Sequence, residues 1–281
     1  MRNLYGVIGD PIAHSMSPVM HNAAFLELQL NHVYFPFHIT PDSLADGIKG
    51  MKALGIMGFN VTIPHKEKIL PLLDKIDPLA KAIGAVNTVV REKDGFTGYN
   101  SDGLGFIRAL KEEWKSDVSN EKVLIIGAGG AAKAIYYSLV YEGVHSIDIC
   151  NRTKERANEL VEACPFPCQS NVLTLKEAEE NLDKYTLIVQ TTSIGMSPNI
   201  ELSPISLQNL KRDTHIVDII YNPFETKILK DAKKKGATIS NGLGMFIYQG
   251  AIAFEKWTGI TPNIEVMKKV VKNHLGGSTS C

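Results

Sequence analysis

At 281 residues and 44% hydrophobic content, the chain can bury one large core or two ordinary domains, and it lies outside the disordered range. Its 30 Lys and Arg balance its 30 Asp and Glu, and a net charge of zero offers no basic face to a nucleic acid. No apolar run approaches the ~18 residues of a membrane span, and the N-terminus MRNLYGVIGDP lacks the apolar core of a secretory signal. The cysteines, Cys150, Cys164, Cys168 and Cys281, therefore read as reduced thiols of a cytoplasmic protein. Cys164 and Cys168 bracket Pro165-Phe166-Pro167 with no second pair behind them, so no metal site is expected.

The first strand is predicted at Tyr5–Ile8, followed by a helix around Pro18–Leu28 and a strand at Val33–Phe37. Thr40-Pro41-Asp42 reads as a helix start, and that helix runs to about Leu54 with Gly55 as its stop. Phe59–Ile63 alternates as a strand does, which places Asn60 and Thr62 opposite Phe59, Val61 and Ile63 until Pro64 ends the run. Asp77-Pro78 opens a short helix, and Asn87–Arg91 and Gly95–Tyr99 flank Glu92-Lys93-Asp94 as a hairpin.

Ser101-Asp102 starts a helix to about Trp114, and the polar connector Lys115–Glu121 leads to the apolar strand Val123–Ile126. Further strands fall near Ile147–Cys150, Leu187–Gln190, Ile216–Ile219 and Thr238–Ile239, with helices between them. A long helix begins near Gly242 and stops at Gly259, and an amphipathic helix runs from Asn263 to about Leu275. The expected class is α/β in two domains. Residues 1–101 are expected to form a first domain with a mostly parallel sheet, residues 102–241 a second, Rossmann-type α/β domain, and residues 242–281 C-terminal helices that pack back on the first.

The cofactor assignment rests on Gly127-Ala128-Gly129-Gly130-Ala131-Ala132, which follows an apolar strand and opens a helix. Gly127 permits the tight turn, Gly129 lets backbone approach a pyrophosphate, and Ala132 is small enough for close helix–strand packing. The next strand ends in Asn151-Arg152-Thr153-Lys154-Glu155-Arg156. An NAD site wants a carboxylate there; this chain offers guanidinium groups that pair with a 2′-phosphate, so NADP is favoured. The bland alternative, a solvated first helical turn, sits awkwardly with cations at a positive helix end.

On the substrate side, Ser15 and Ser17 flank one residue before a helix; one of them, Ser17 by position, suffices as an N-cap and leaves Ser15 over. Asn60, Thr62, Lys66, Asn87 and Asp102 stand at strand or helix ends, where α/β sheets bind ligands. Taken singly, Asn87 is as well explained by a turn, Asp102 by a cap and Lys66 by a solvated helix start.

Together the motifs say more. Asn60-Val61-Thr62-x-Pro64-x-Lys66, Gly84-Ala85-Val86-Asn87-Thr88, Asn100-x-Asp102-Gly103, the glycine turn, Asn151-Arg152-Thr153 and Gly242-Leu243-Gly244-Met245 with Gln249 resemble the shikimate dehydrogenase family, in order and over nearly the whole chain. The resemblance implies an oxidoreductase of aromatic amino acid (chorismate) biosynthesis that reduces 3-dehydroshikimate with NADPH. It implies that Ser15 and Ser17 bind the substrate carboxylate, that Asn60, Thr62, Asn87, Tyr221 and Gln249 bind near the ring hydroxyls, and that Lys66 and Asp102 form the catalytic pair. Gly127, Ala128, Gly129, Gly130, Ala131, Asn151, Arg152, Thr153, Lys154, Arg156, Ile219 and Gly242 are implied to line the cofactor. Ser101 and Ile219 stand where family members often carry Thr and Met, both mild exchanges. Rival readings are a quinate/shikimate dehydrogenase paralogue using NAD, a methylenetetrahydrofolate dehydrogenase, and a non-catalytic metabolite sensor. An apolar helix face can serve as core or as the interface of a homodimer.

Overall fold

The computed structural model describes residues 2–114 and 117–277; Lys115 and Ser116 of the expected connector, and Cys281, lie outside them. The chain divides into two compact units, one built from residues up to Ser101 and from Ile247 onward, the other from Asp102–Phe246.

The first unit contains β1 (Asn3–Gly9), α1 (Ser17–Glu27), β2 (His32–His38), α2 (Leu44–Ala53), β3 (Gly58–Val61), β4 (Lys75–Ile76), α3 (Pro78–Ile83), β5 (Thr88–Glu92) and β6 (Gly95–Tyr99). Its sheet runs β2-β1-β3-β5-β6-β4. β1 pairs in parallel with β2 and β3, and β4 with β6, while β3–β5 and β5–β6 are antiparallel. Ile8, Ile48, Phe59, Val61, Val89 and Phe96 form the buried core on one face. Asp77 caps α3 as expected, its Oδ1 accepting from the Leu79 N–H at 3.0 Å. Arg91 serves the other kind of helix end. Its guanidinium donates to the carbonyls of Met51 and Lys52 in the last turn of α2 and of Ile56 just beyond it, at 2.7–3.2 Å, where a cation also suits the helix C-terminus.

The second unit begins with α4 (Asp102–Trp114), then β7 (Val123–Ile126), α5 (Gly130–Tyr141), β8 (Ile147–Cys150), α6 (Lys154–Glu162), β9 (Val172–Leu173), α7 (Leu175–Glu180), β10 (Leu187–Gln190), β11 (His215–Asp218), α8 (Lys227–Lys234) and β12 (Thr238–Ser240). All its strand pairs are parallel, in the order β12-β11-β10-β7-β8-β9, the doubly wound order of dinucleotide-binding sheets. β7, β8, β10 and β11 are buried at every position, as a sheet covered on both faces requires. The two-residue strands β4 and β9 are too short to show a period in sequence.

The division falls within α9 (Leu243–Thr258), after Phe246, and α10 (Ile264–Gly277) completes the first unit by packing on α1. Trp257 lies over the start of β3, where a Cβ on Gly58 would come within 2.3 Å of the indole Nε1, and that Nε1 donates to the Val89 carbonyl at 2.9 Å. Among the described residues no helix is long and apolar enough to cross a membrane, and no cluster of three or more His, Cys, Asp or Glu is placed to hold a metal ion.

Candidate functional site

In the first unit β1, β2 and β3 run parallel, with Gly9 opposite His38 and Ile8 opposite Val61 at their ends, so the segments that follow emerge at one sheet edge. The β3 strand is shorter than its alternation suggests. It stops at Val61, and Ile63 is 72% exposed instead of joining Phe59 and Val61 in the core. The reason is local. The Ile63 carbonyl turns to accept from the Asp10 N–H (3.0 Å), and Pro64 has no N–H with which to extend the ladder.

Several bonds then tie this exit together. The Thr62 N–H donates to the Ile8 carbonyl (3.0 Å), and the Lys66 carbonyl accepts from the Val86 N–H (2.8 Å), joining the lysine to the segment that carries Asn87. His65 is fully buried and its Nε2 donates to the Ile39 carbonyl, 2.6 Å away, just past β2.

The serine pair behaves differently from expectation. No side chain caps α1 at its N-cap, and Ser17 is already inside the helix; it is Ser15 whose Oγ accepts from the Ser17 N–H, at 3.3 Å. Ser17 is 7% exposed. Asn60 and Asn87 are likewise buried and held by their neighbours. Asn60 Oδ1 accepts from the Tyr34 phenol (2.7 Å), and its Nδ2 donates to the Asn87 carbonyl (3.1 Å) and to Thr88 Oγ1 (3.2 Å). Asn87 Oδ1 accepts from the Ser101 N–H at 2.8 Å, which ties its segment to the start of α4. Thr62, Lys66 and Gln249 are partly exposed; Gln249 lies on α9 next to Gly250, where a Cβ would meet Met20 of α1 at 2.2 Å.

In the second unit Asp102 opens α4, and the glycine after it has a packing reason: a Cβ on Gly103 would lie 2.1 Å from Ser138 Oγ and 2.3 Å from the Ala134 carbonyl of α5. Gly127 has φ +111, and a Cβ there would strike Thr191 Oγ1 at 2.6 Å. Gly129 caps α5 in extended conformation, and a Cβ on it or on Gly130 would meet nothing within 4 Å. Backbone amides at a helix N-terminus with open space before them are what a pyrophosphate needs, so the chain fits a dinucleotide. Ala128 and Ala131 complete the turn, and Ala132 is fully buried, as close packing predicts.

After β8, Asn151 Nδ2 donates to the Thr153 carbonyl (2.8 Å), which shapes the loop, while Arg152 and Arg156 are exposed and form no ion pair among the described residues. Lys154 lies 3.4 Å from Glu177, a surface pair of little energy.

Two features escape a reading of the sequence alone. The loop after β10 folds over the glycine turn: Thr191 Oγ1 donates to the Ile126 carbonyl (2.7 Å), and buried Gln190 bonds the backbone of Thr192 and Ile194. Its Thr-Thr-Ser run after an apolar strand is the available signal. After β11, Asp218 is fully buried, with Oδ1 accepting from the Ile220 N–H (3.0 Å) and Oδ2 from the Thr226 hydroxyl (2.6 Å). Burial pushes this carboxyl up to about 6, against the pull of those two donors. The clasp shapes the loop bearing Ile219 and Tyr221; burial also raises the Tyr221 phenol. Gly242 is needed because a Cβ would fall 1.8 Å from the Ile219 carbonyl.

Comparison with known proteins covers almost all of the chain. Residues 7–89 match the shikimate dehydrogenase substrate binding domain, residues 109–224 the shikimate / quinate 5-dehydrogenase model, and residues 242–272 the shikimate 5'-dehydrogenase C-terminal domain. Shikimate dehydrogenase (NADP(+)) of Bacillus cereus strain AH187 is 53% identical over 277 residues, covering 99% of this chain and 100% of that one. Shikimate 5-dehydrogenase of Listeria monocytogenes, solved with shikimate and NAD, is similar with a TM-score of 0.91 and 35% identity, covering 96% of each chain. Shikimate 5-dehydrogenase of Thermus thermophilus, solved with NADP(H) and shikimate, is similar with a TM-score of 0.86 and 33% identity, covering 96% of this chain and 99% of that one.

Proposed function

The chain belongs to the shikimate dehydrogenase family, and on that premise we propose that it catalyses the reversible, NADP-dependent reduction of 3-dehydroshikimate to shikimate. The observation that carries this reading is full-length identity to an NADP-dependent relative. The open glycine turn and the guanidinium at the end of β8 support it from the structure.

The second unit holds the cofactor. The backbone N–H groups of Gly129, Gly130 and Ala131 take the pyrophosphate, and Arg152, aided by Arg156, takes the 2′-phosphate. When bound, the nicotinamide supplies the hydride. Ile219 and Gly242 form backbone and side-chain surface toward it.

The first unit holds the substrate. Ser15 and Ser17 bind its carboxylate, and Thr62, Asn60, Asn87 and Gln249 bind its hydroxyls; Tyr221 is a further substrate residue that the family resemblance implies. Both Asn60 hydrogens are committed to Asn87 and Thr88, so Asn60 serves as an acceptor. Lys66 donates the proton that the developing alkoxide requires, and its ammonium stabilises the negative charge before transfer. Asp102 is the second member of the catalytic pair that the family resemblance implies. The proposal extends to a cytoplasmic location, supported by the free thiols Cys150, Cys164 and Cys168, and to a homodimer, supported by exposed Phe35 on the open β2 edge.

The test is an absorbance assay at the nicotinamide band with purified protein, shikimate and NADP⁺. Reduction of NADP⁺ is expected. No turnover with shikimate or quinate and either dinucleotide would overturn the reading in favour of a metabolite sensor.

A further inference from the structure

We propose that Tyr34 is a positioning residue for Asn60, an inference that rests on the substrate role just given to that amide. Tyr34 lies mid-way along β2, at the open edge of the first unit's sheet, yet is 1% exposed. One helix, α1, holds it through two side chains. Asn22 takes the place of a missing neighbour strand: its Nδ2 donates to the Tyr34 carbonyl and its Oδ1 accepts from the Tyr34 N–H, both at 2.9 Å. The His21 ring stacks on the phenol ring, with centroids 4.5 Å apart and planes 17° from parallel. Burial pushes the phenol well above its ordinary pKa, so it stays protonated and donates at neutral pH.

Packing alone does not call for a hydroxyl here, because phenylalanine fills the same volume. The hydroxyl has one use within this cluster: it donates to Asn60 Oδ1 at 2.7 Å. A carboxamide has four hydrogen-bonding positions. In Asn60 the protein takes three, namely one lone pair through Tyr34 and both hydrogens through Asn87 and Thr88. The fourth, the second lone pair of Oδ1, is what remains for a substrate hydroxyl. Tyr34 fixes that oxygen because only the carbonyl end can accept from a phenol.

Tyr34→Phe keeps the ring, the His21 stack and both bonds to Asn22. Expected results are a rise of about tenfold in KM for shikimate, kcat within about twofold, an unchanged KM for NADP⁺ and a melting temperature lowered by no more than a few degrees. If Tyr34 acts through Asn60, the double variant Tyr34→Phe/Asn60→Ala binds shikimate no worse than Asn60→Ala alone. An unchanged shikimate KM in Tyr34→Phe overturns the proposal. So do losses that multiply in the double variant, or a larger fall in melting temperature with a matching loss of cofactor affinity, which would show a purely structural role. A wild-type protein that turns over no shikimate would remove the functional reading itself, and this inference with it.

Discussion

The two units meet their ligands with different material. In the first, the polar surface is made of side chains that hold one another: Asn60 on Tyr34, Asn87 and Thr88, and Asn87 on Ser101. In the second, the surface proposed for the cofactor is mostly backbone, a glycine turn with open space before it, with exposed cations beyond. A pyrophosphate is the same on every dinucleotide, and fixed amides suffice for it. A hydroxylated ring must be told from near isosteres, which takes amides of fixed orientation whose misplacement leaves buried groups unpaired. The contrast predicts that cofactor affinity is sensitive to Cβ atoms added at the glycine turn, and shikimate affinity to polar atoms removed from the first unit.

Gly242→Ala sets the largest effect, because the new Cβ overlaps the Ile219 carbonyl. A loss of about 3 kcal/mol is expected in denaturant unfolding. Gly130→Ala is its counterpart: nothing lies within 4 Å, so stability holds while KM for NADP⁺ rises as the methyl enters the space before the amides. Equal stability losses in both would break the distinction between packing glycines and ligand glycines. Next comes Lys66→Ala, expected to lower kcat ~10²-fold or more with little change in shikimate KM. A variant with near wild-type kcat would contradict the proton-donor role.

Acid and base act on the two units with opposite signs. Burial pushes His21 down to about 3 from an ordinary 6.5, so the stability it leaves intact at neutral pH is lost as pH falls below 6.5. Relative to His21→Phe, wild type should lose about 2 kcal/mol between pH ~7.5 and ~5. Asp218 is pushed up to about 6 from an ordinary 3.8, so its contribution is fully present below 3.8 and is lost as pH rises through 6. Relative to Asp218→Asn, wild type should lose about 2 kcal/mol between pH ~4 and ~6.5. Unfolding curves at those pH values check both; the same sign for the two would refute the assignment. The smallest effect is Arg152→Ala, expected to raise KM for NADPH about tenfold and to leave that for NADH nearly unchanged.

The same contrast explains what is legible in the sequence. The second unit is legible because its signals are local: the apolar run Val123–Ile126, a glycine turn, then cations at the next strand end. The Asp77 cap and the Gly259 stop are legible for the same reason. The first unit's chemistry depends on partners far apart in the chain. Tyr34 reads as one more strand aromatic, and only folding places it against Asn60, 26 residues on. Asp218 reads as the polar end of a strand, and its Thr226 partner is visible only once the loop closes. The serine pair reads in the wrong order because helix-start statistics favour the residue before Pro18, whereas the chain enters α1 early enough that Ser15 takes the first available N–H.

The central claim is that side chains of the first unit select shikimate while a guanidinium of the second selects NADP. The most direct test is kcat/KM for shikimate and for quinate, each with NADP⁺ and with NAD⁺, on one preparation. The shikimate–NADP⁺ pair is expected to exceed every other combination by at least about tenfold. A maximum with quinate, or with NAD⁺, would contradict it.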